Sequence, residues 1–264
     1  MPSIETGFLI SVVIPAFNEG ERLPPLLAAL AAEGRAQPRP VEFLVVDDGS
    51  AADHLARHRK SVAEAARALA GTPHRVRLLE GGRNQGKGGA IRSGWREAAP
   101  DATFLAFLDA DGAISAGEFW RLTGLLGGPL DLLAGARVLM AGRKISRSLF
   151  RHLQGRVFAT LTEQAFGLGF YDTQCGVKFV RAALLRPHLD LLQERRWMLD
   201  VELLALVKLL GGRQREEPID WWDPGGSKVR PVVDALQMLL GLRRIKRHLA
   251  RVAPALALPA AKVR

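Results

Sequence analysis

Short apolar, β-branched runs alternate with helix-forming segments along the first half of the chain, and this alternation is the strongest constraint on the fold. The apolar runs have the length of buried strands, whereas the segments between them repeat leucine and alanine at helical spacing. Such a series buries its apolar faces as a mostly parallel central sheet with helices on both faces, so we predict an α/β fold of Rossmann-like type. The predicted strands cover residues 10–15, 41–46, 76–79 and 104–108, and the predicted helices cover about 21–32, 51–70, 87–99 and 115–126.

The second half is less regular but has no linker-like stretch and no internal repeat. We therefore predict a single domain over residues 1–253, with one half at about 8–136 and the other at about 137–253, and a flexible tail over 254–264. In the second half, strands are predicted at residues 130–139, 175–180 and 214–219, and helices at 145–167, 198–210 and 231–251.

Composition excludes several classes of protein. Hydrophobic residues make up 48% and charged residues 24% of the 264 residues, as in an ordinary globular chain. A single cysteine excludes an intramolecular disulfide. No apolar run approaches the roughly 18 residues of a membrane span, and the N-terminus lacks the pattern of a secretory signal. We expect a cytoplasmic protein, with a peripheral position on the cytoplasmic membrane face.

The net charge of +10 is concentrated in the second half. Residues 1–136 contain 14 Lys and Arg against 16 Asp and Glu, whereas residues 137–264 contain 23 against 11. This asymmetry favours an anionic partner, either a phosphorylated substrate, an anionic membrane surface or a nucleic acid. Aromatic residues are only 6%, with one tyrosine, which argues against nucleic acid. The basic segment 231–251 also carries leucines, so it either contacts a membrane or packs on the domain with solvated arginines.

Polar motifs follow each of the four predicted strands, and parallel strands bring such motifs to one edge of the sheet. The carboxylates of Asp109 and Asp111 come directly after residues 104–108. Their spacing allows both to approach one hard cation, Mg²⁺ or Mn²⁺, which takes oxygen ligands and shares them with substrate phosphates. The other three motifs are Pro15-Ala16-Phe17-Asn18-Glu19, Asp47-Asp48-Gly49-Ser50 and Asn84-Gln85-Gly86-Lys87.

Two of these motifs have alternative interpretations. Asp47 and Asp48 repel each other unless they bind a ribose, a base N–H or a metal, or unless they form a solvated turn in which Ser50 is a helix N-cap. Residues 81–88 match the opening of a P-loop, but Gly88 stands where the Mg²⁺-binding Ser or Thr belongs. A P-loop NTPase is therefore disfavoured, although the glycine-rich turn still predicts that Lys87 and backbone N–H groups meet a diphosphate.

In their order along the chain, the four motifs resemble those of family 2 glycosyltransferases with the GT-A fold. The resemblance covers roughly residues 10–230. The resemblance implies that the first two motifs, after residues 10–15 and 41–46, hold the nucleoside of a sugar nucleotide. It also implies that Asp109 and Asp111 hold a divalent cation on its diphosphate. The third position of the metal shell in some members, two residues after the Asp-x-Asp, is Ala113 here. The donor-binding residues implied are Pro15, Ala16, Asn18, Glu19, Asp47, Asp48, Gly49, Ser50, Asn84, Gly86, Lys87, Asp109, Ala110 and Asp111.

The second half resembles the polyprenyl-phosphate branch of that family, with dolichyl-phosphate β-glucosyltransferases first and mannosyltransferases next. The residues that carry this resemblance are segments 172–178, 197–202 and 226–229. In that branch, arginines after a Gly-x-Arg segment grip the acceptor phosphate, and here this segment ends in Arg137. The implied acceptor-binding residues are Arg137, Arg147, Arg151, Gln174, Ser227 and Lys228.

The chemistry of the acceptor gives an independent argument. A phosphate monoester is already anionic at pH 7 and needs cations to hold it, whereas a hydroxyl needs a general base. The arginine-rich second half therefore favours a polyprenyl phosphate acceptor. The resemblance implies UDP-glucose as donor and inversion at the anomeric carbon. Asp200 remains a candidate base for the alternative, a soluble hydroxyl acceptor, and GDP-mannose is the alternative donor. The predicted catalytic residues are Asp109, Asp111, Asp200 and Lys228. Lys228 would stabilise the leaving diphosphate together with the metal. Trp221 and Trp222 either form the floor of the sugar site or belong to the core.

Overall fold

A seven-stranded sheet in the order β3-β2-β1-β4-β7-β5-β8 organises the chain. The computed structural model describes residues 9–138, 140–146, 149–222 and 231–257. The strands are β1 (Leu9–Ala16), β2 (Val41–Asp48), β3 (Arg75–Gly81), β4 (Ala102–Leu108), β5 (Leu132–Ala136), β6 (Ile145–Ser146), β7 (Val177–Arg181), β8 (Gln214–Pro218) and β9 (Trp221–Trp222). The helices are α1 (Leu23–Gly34), α2 (Ala52–Ala68), α3 (Lys87–Glu97), α4 (Ala116–Gly124), α5 (Leu149–Phe166), α6 (Ala182–Leu185), α7 (Leu199–Leu209) and α8 (Pro231–Ala257), with a 3-10 helix over Arg186–Leu191.

The direction of one strand decides where the two halves of the chain meet. Strands β1 to β4 are parallel, and β5 pairs in parallel with β8. Strand β7 runs antiparallel to both β4 and β5, with Val177 opposite Leu108. The loop that leads into β7 therefore lies at the same edge as the ends of the parallel strands. Outside this sheet, β6 and β9 form a small parallel ribbon.

Two apolar cores cover the two faces of the sheet. One core contains residues of α1, α2 and α4, and the other contains residues of α3, α6, α7 and α8. Strand β2 is buried along its whole length, as expected for a central parallel strand with helices on both faces. The predicted α/β fold is confirmed.

Some predicted boundaries were wrong. The helix predicted from residue 145 begins at Leu149, because Ile145–Ser146 pairs with Trp221–Trp222. Helix α8 continues through Pro254 to Ala257, past residue 251, where the sequence pattern predicted its end. Its last turns are retained because Val252 and Leu256 pack against the second core.

Candidate active site

The loops after β1 and β2 are joined by hydrogen bonds at the carboxyl edge of the sheet. Asn18 has a positive φ of 56°, a conformation that asparagine tolerates better than most residues. Its backbone N–H donates to Ser50 Oγ at 2.9 Å, and its Oδ1 accepts from the N–H of Ala51 at 2.9 Å. Ser50 is therefore not a helix N-cap: α2 is capped at Ala51, and the Ser50 hydroxyl binds the first loop instead.

The adjacent carboxylates after β2 are satisfied by the chain itself. Asp47 accepts hydrogen bonds from the N–H groups of Gly49 and Ser50, both at 3.1 Å, and from His58 Nδ1 at 2.9 Å. Asp48 accepts from the N–H groups of Gln85 and Gly86 at 2.7 and 2.8 Å. Burial, with a smaller contribution from neighbouring Asp47, raises the pKa of Asp48, and the two N–H groups offset part of that rise. No ligand is needed to relieve the repulsion between the two side chains.

Close packing brings the loop after β3 against the loop after β2. A Cβ at Gly49 would lie 2.7 Å from the backbone nitrogen of Asn84, and Gly49 has a φ of +75°. Glycine is required there because no side chain fits. The Asn84 side chain is exposed and accepts from the Gly86 N–H at 3.1 Å. The loops after β1, β2 and β3 thus form one continuous wall.

Glu19, at the end of the loop after β1, forms an ion pair with Arg22. Arg22 donates to its carboxylate through Nε at 2.6 Å and through Nη2. Burial lowers the pKa of Arg22, but its hydrogen bond and charge pairing with Glu19 raise it above the ordinary value, with contributions from Asp111 and Asp109. Arg22 is therefore a cation beside the Asp-x-Asp segment that sequence reasoning did not identify.

The Asp-x-Asp segment leaves β4 with its two carboxylates held differently. The Asp109 N–H donates to the Gly176 carbonyl at 2.9 Å, which fastens this segment to the loop before β7. Asp111 Oδ1 accepts from the Ala113 N–H at 3.0 Å, whereas Ala110 is buried.

Within the described ranges no group of three or more His, Cys, Asp and Glu residues is placed to hold a metal ion. Two carboxylates fit Mg²⁺ or Mn²⁺, which commonly complete their coordination with substrate phosphates and water. Asp109 and Asp111 therefore fit a cation that is bound together with a diphosphate.

Asp109 is the first member of a chain of alternating charges. Lys87 Nζ lies 2.8 Å from Asp109 Oδ1 and 3.4 Å from Asp200 Oδ2. Lys178 Nζ lies 2.5 Å from Asp200 Oδ1 and donates to the Cys175 carbonyl at 2.9 Å. Both ammonium groups stand over the Phe107 ring, at 4.9 and 5.4 Å from its centroid. We name Asp109, Lys87, Asp200 and Lys178 the charge chain.

The environment shifts the pKa values along the charge chain. Burial disfavours the charged form of Lys87, but the negative charges of Asp109 and Asp200 outweigh it and raise its pKa well above the ordinary value. Burial raises the pKa of Asp109, and the nearby charges of Asp111 and Asp200 add to that rise, while Lys87 opposes it. The negative charge of the Asp109 carboxylate is therefore stabilised by a cation beside it, either Lys87 or a metal ion.

The glycines around Lys87 have a packing role that the P-loop-like pattern did not predict. A Cβ at Gly86 would lie 2.5 Å from the Arg195 carbonyl oxygen, and a Cβ at Gly88 would lie 2.5 Å from that of Glu194. The Gly89 N–H donates to the Arg195 carbonyl at 3.1 Å. The start of α3 therefore packs against residues 194–196 and does not present a row of free N–H groups. Lys87 bridges two carboxylates instead of facing an open turn.

A second cationic centre lies where β5 ends. Arg137 forms a two-pronged ion pair with Asp172, with Nε at 2.6 Å and Nη2 at 2.9 Å. Burial disfavours both charges, but the pair outweighs it, raising the pKa of Arg137 and lowering that of Asp172 well beyond their ordinary values. The Asp172 and Tyr171 N–H groups are held in turn by the Glu216 carboxylate, at 2.5 and 2.8 Å.

Arg156 on α5 is a second cation that lies near Arg137. Its guanidinium lies 4.0 Å from the centroid of the Tyr171 ring and donates to the Tyr171 carbonyl at 3.1 Å. Arg137, Arg156 and Gln174 line one small pocket. We name it the arginine pocket. The predicted acceptor residues Arg147, Ser227 and Lys228 lie outside the described residues, as does the side chain of Arg151.

The two tryptophans before residue 223 differ in their surroundings. Trp221 packs against the first core, and the Arg137 guanidinium lies 5.5 Å from the centroid of its ring. Trp222 is 69% exposed, and its backbone N–H donates to the Ala113 carbonyl at 2.9 Å. Trp221 is therefore a partly buried residue packed against the core, while Trp222 is joined to the turn after the Asp-x-Asp.

Sequence reasoning missed Lys178 and Arg156. A lysine inside the apolar run Val177–Arg181 was a usable signal, because lysine is almost never fully buried without a charged partner. Arg156 carried no local signal, because a charged residue on a helix is ordinarily solvated. Asp200 was identified, but as a candidate base, whereas both of its oxygens accept from ammonium groups. Glu202, on the same helix α7, accepts from the N–H groups of Gln193 and Glu194.

Comparisons with known proteins agree with this arrangement. Residues 11–185 match the model of Glycosyl transferase family 2. The dolichyl-phosphate beta-glucosyltransferase of Homo sapiens is 33% identical over 242 residues, covering 87% of this chain and 72% of the relative. That of Drosophila melanogaster is 32% identical over 260 residues, covering 90% and 73%.

Solved structures show the same fold. Glucosyl-3-phosphoglycerate synthase from Mycobacterium tuberculosis, in complex with Mn²⁺, UDP and phosphoglyceric acid, matches with a TM-score of 0.62 at 17% identity, covering 97% of this chain and 81% of that one. Mannosyl-3-phosphoglycerate synthase from Rubrobacter xylanophilus matches with a TM-score of 0.60 at 16% identity, covering 98% and 79%. The chain therefore belongs to glycosyltransferase family 2 and has the GT-A fold, as its four strand-end motifs predicted.

Proposed function

We propose that this glycosyltransferase transfers glucose from UDP-glucose to a polyprenyl or dolichyl phosphate. The names of the relatives support the lipid phosphate acceptor, since each is called a dolichyl-phosphate beta-glucosyltransferase. In the proposed reaction a phosphate oxygen of the acceptor attacks the anomeric carbon. The bond to the diphosphate oxygen breaks, its electron pair leaves with UDP, and a single displacement inverts the anomeric centre.

The observation that carries the choice of acceptor is the state of Asp200. A hydroxyl acceptor requires a general base within reach of its proton. Asp200 is buried, and its two oxygens accept from the ammonium groups of Lys87 and Lys178, so it is placed as their counterion and not toward a substrate hydroxyl. A phosphate acceptor needs no such base. Asp200 then serves as the counterion of two lysines.

The arginine pocket supplies the cations that a phosphate acceptor needs. Arg137 uses Nε and Nη2 on Asp172, which fixes the guanidinium plane. Among the described residues Nη1 has no hydrogen-bond acceptor, so in this proposal it binds a phosphate oxygen. Arg156 and Gln174 line the same pocket, and the loop 172–176 connects it to Asp109. In this proposal Arg147, Arg151, Ser227 and Lys228 complete the acceptor site, and Lys228 stabilises the leaving diphosphate.

Mg²⁺ or Mn²⁺, held by Asp109 and Asp111, would supply the charge that neutralises the diphosphate of the donor. The wall formed by the loops after β1, β2 and β3 would hold the nucleoside. Structural neighbours described with Mn²⁺ and UDP or UDP-glucose support this assignment. We place the enzyme in the cytoplasm, peripheral to the cytoplasmic membrane face. Among the helices that the structure describes, none has the length and hydropathy to cross a bilayer.

The test is a transfer assay with radiolabelled UDP-glucose, Mn²⁺ or Mg²⁺, and undecaprenyl or dolichyl phosphate in detergent. We expect label in the organic phase that requires metal and is lost in Asp111→Asn, with no label from GDP-mannose run in parallel. The anomeric proton coupling of the product reports inversion. Nucleotide release that is stimulated by a soluble hydroxyl acceptor, without a lipid product, would refute the proposal.

A further inference from the structure

Helix α8 has an outer face that combines exposed leucines with basic residues. Leu239 and Leu240 are 43% and 45% exposed, and Arg243, Lys246 and Arg247 are exposed one and two turns further on. Residues three, four and seven apart lie on one side of a helix, so this is a continuous face. The opposite side of α8 is buried against the second core through Leu242, Ile245 and Leu249.

The loop 193–198 extends this face beyond the helix. Its residues Arg195, Arg196 and Trp197 are exposed, Trp197 by 43%. The loop and α8 line the same cavity, and they pack closely, since a Cβ at Gly241 would lie 2.8 Å from Met198 Cγ. We name this loop segment, together with the outer side of α8 from Leu239 to Arg247, the basic–apolar face.

The cations of this face have no ion-pair partner among the residues that the structure describes. Across the part of the chain that the structure describes, no carboxylate lies within ion-pair distance of Arg195, Arg196, Arg243, Lys246 or Arg247, whereas neighbouring Arg244 is paired with Glu194 at 3.0 Å. Five like charges around exposed apolar side chains repel one another in solution. They are complementary to a surface that is anionic and apolar just beneath its charges.

The same loop contacts the candidate active site on its other side. The Arg195 carbonyl accepts from the Gly89 N–H at the start of α3, two residues after Lys87, and Asp200 follows Trp197 in the first turn of α7. A surface bound by the basic–apolar face would therefore lie next to the charge chain.

We infer that the basic–apolar face docks on an anionic phospholipid bilayer. Trp197, Leu239 and Leu240 would enter the interfacial region, where tryptophan and leucine gain from burial, and the five cations would contact lipid headgroups. This inference deepens the proposed function, because docking would bring the site to the depth at which a lipid carries its phosphate. A nucleic acid fits the charge but gains little from exposed leucines, so it is an outcome of the test.

The test is flotation of the full chain with vesicles of phosphatidylcholine alone or with 30 mol% phosphatidylglycerol, in the absence of donor and acceptor. We expect binding only to the anionic vesicles, and loss of that binding at high salt. A cation near an anionic surface contributes about 1 kcal/mol, so Arg243→Gln/Arg247→Gln should bind roughly 30-fold more weakly. The matched control, Lys60→Gln/Arg67→Gln on α2, removes the same charge elsewhere and should bind like the wild type.

Trp197→Ser should weaken vesicle binding without changing its salt dependence. Equal binding to both vesicle types, an equal loss in the α2 control, or binding to RNA and not to vesicles would each overturn the inference. Transfer in detergent separates this inference from the proposed function, because Arg243→Gln/Arg247→Gln should keep its rate in micelles and lose it on vesicles. A wild type that floats but transfers nothing in micelles would refute the proposed function alone.

Discussion

Removal of the buried Lys178 charge should tighten metal binding at the far end of the charge chain. Lys178 is 0% exposed and forms its ion pair with Asp200 at 2.5 Å. In Lys178→Met, Lys87 is the one ion-pair partner that Asp200 keeps among the described residues. We expect Lys87 to move from Asp109 toward Asp200, which leaves the Asp109 carboxylate more negative and more available to Mn²⁺.

The distances set the magnitude. Contacts of 2.8, 3.4 and 2.5 Å place Lys178 Nζ within about 11 Å of Asp109, where two unit charges interact by about 1.5 kcal/mol at an effective dielectric constant of about 20. Mn²⁺ carries two charges, and solvent screening reduces the effect, so we expect roughly tenfold tighter Mn²⁺ binding. Asp200→Asn changes the charge in the opposite direction and should weaken binding by a similar factor.

Both single variants should lose stability, since breaking a buried ion pair costs about 3–5 kcal/mol. The loss of stability in Lys178→Met should be near the lower value, about 3 kcal/mol, because Lys87 still lies near Asp200. The assay is direct Mn²⁺ binding in the presence of UDP, followed by electron paramagnetic resonance, beside urea unfolding. The double variant Lys178→Met/Asp200→Asn should return to near wild-type affinity. Affinity shifts of the same sign in the two single variants would refute the coupling, because that is the signature of general loosening.

Three further predictions concern the loop before β7 and its surroundings. A Cβ on Gly176 would overlap the Asp109 carboxylate, so Gly176→Ala should weaken Mn²⁺ binding at least tenfold, whereas Gly82→Ala, which has no neighbour within 4 Å, should leave it unchanged; equal effects would contradict the assignment. Burial raises the pKa of Cys175 to about 12, so the unfolded thiol ionises first and stability should fall by about 1.4 kcal/mol per pH unit between about pH 9 and 12. Urea unfolding of Cys175→Ser over this range should lack that component, and an unchanged slope would show that the thiol is not its source. Arg137→Lys keeps the charge but loses the two-pronged pair with Asp172, so it should lower stability by about 1–2 kcal/mol and raise KM for the lipid acceptor more than it lowers kcat; unchanged values for both would exclude this role.

The fold was predictable because local pattern and global topology agree in the first half. Four apolar runs became β1 to β4, and the polar groups that follow them meet at one edge. The run at 175–180 predicted a strand, but nothing local in it specified the antiparallel direction of β7. That direction depends on pairing with β4 and β5, which lie far away in the sequence.

The place of the candidate site in the fold was predictable, whereas the contacts within it were less so. Asp109 and Asp111 lie where the spacing placed them. The partners of Asp47 and Lys87 were not predictable, because a short motif does not reveal which groups satisfy it within the chain. Asp47 binds its own turn and His58, and Lys87 reaches Asp200, which is more than a hundred residues away.

The position of β7 also has a consequence for the order in which the chain can fold during synthesis. Strands β1 to β4 pair with one another within residues 9–108, so that portion can form while later residues are still being made. Strand β7 must then enter between β4 and β5, and only its arrival brings the Gly176 carbonyl to the Asp109 N–H and Lys178 to Asp200. A nascent chain that stops before residue 176 would carry the Asp-x-Asp pair without the Gly176 contact and without the Lys178–Asp200 pair, so full metal-binding competence should appear late in synthesis, after strands β1 to β4 have paired.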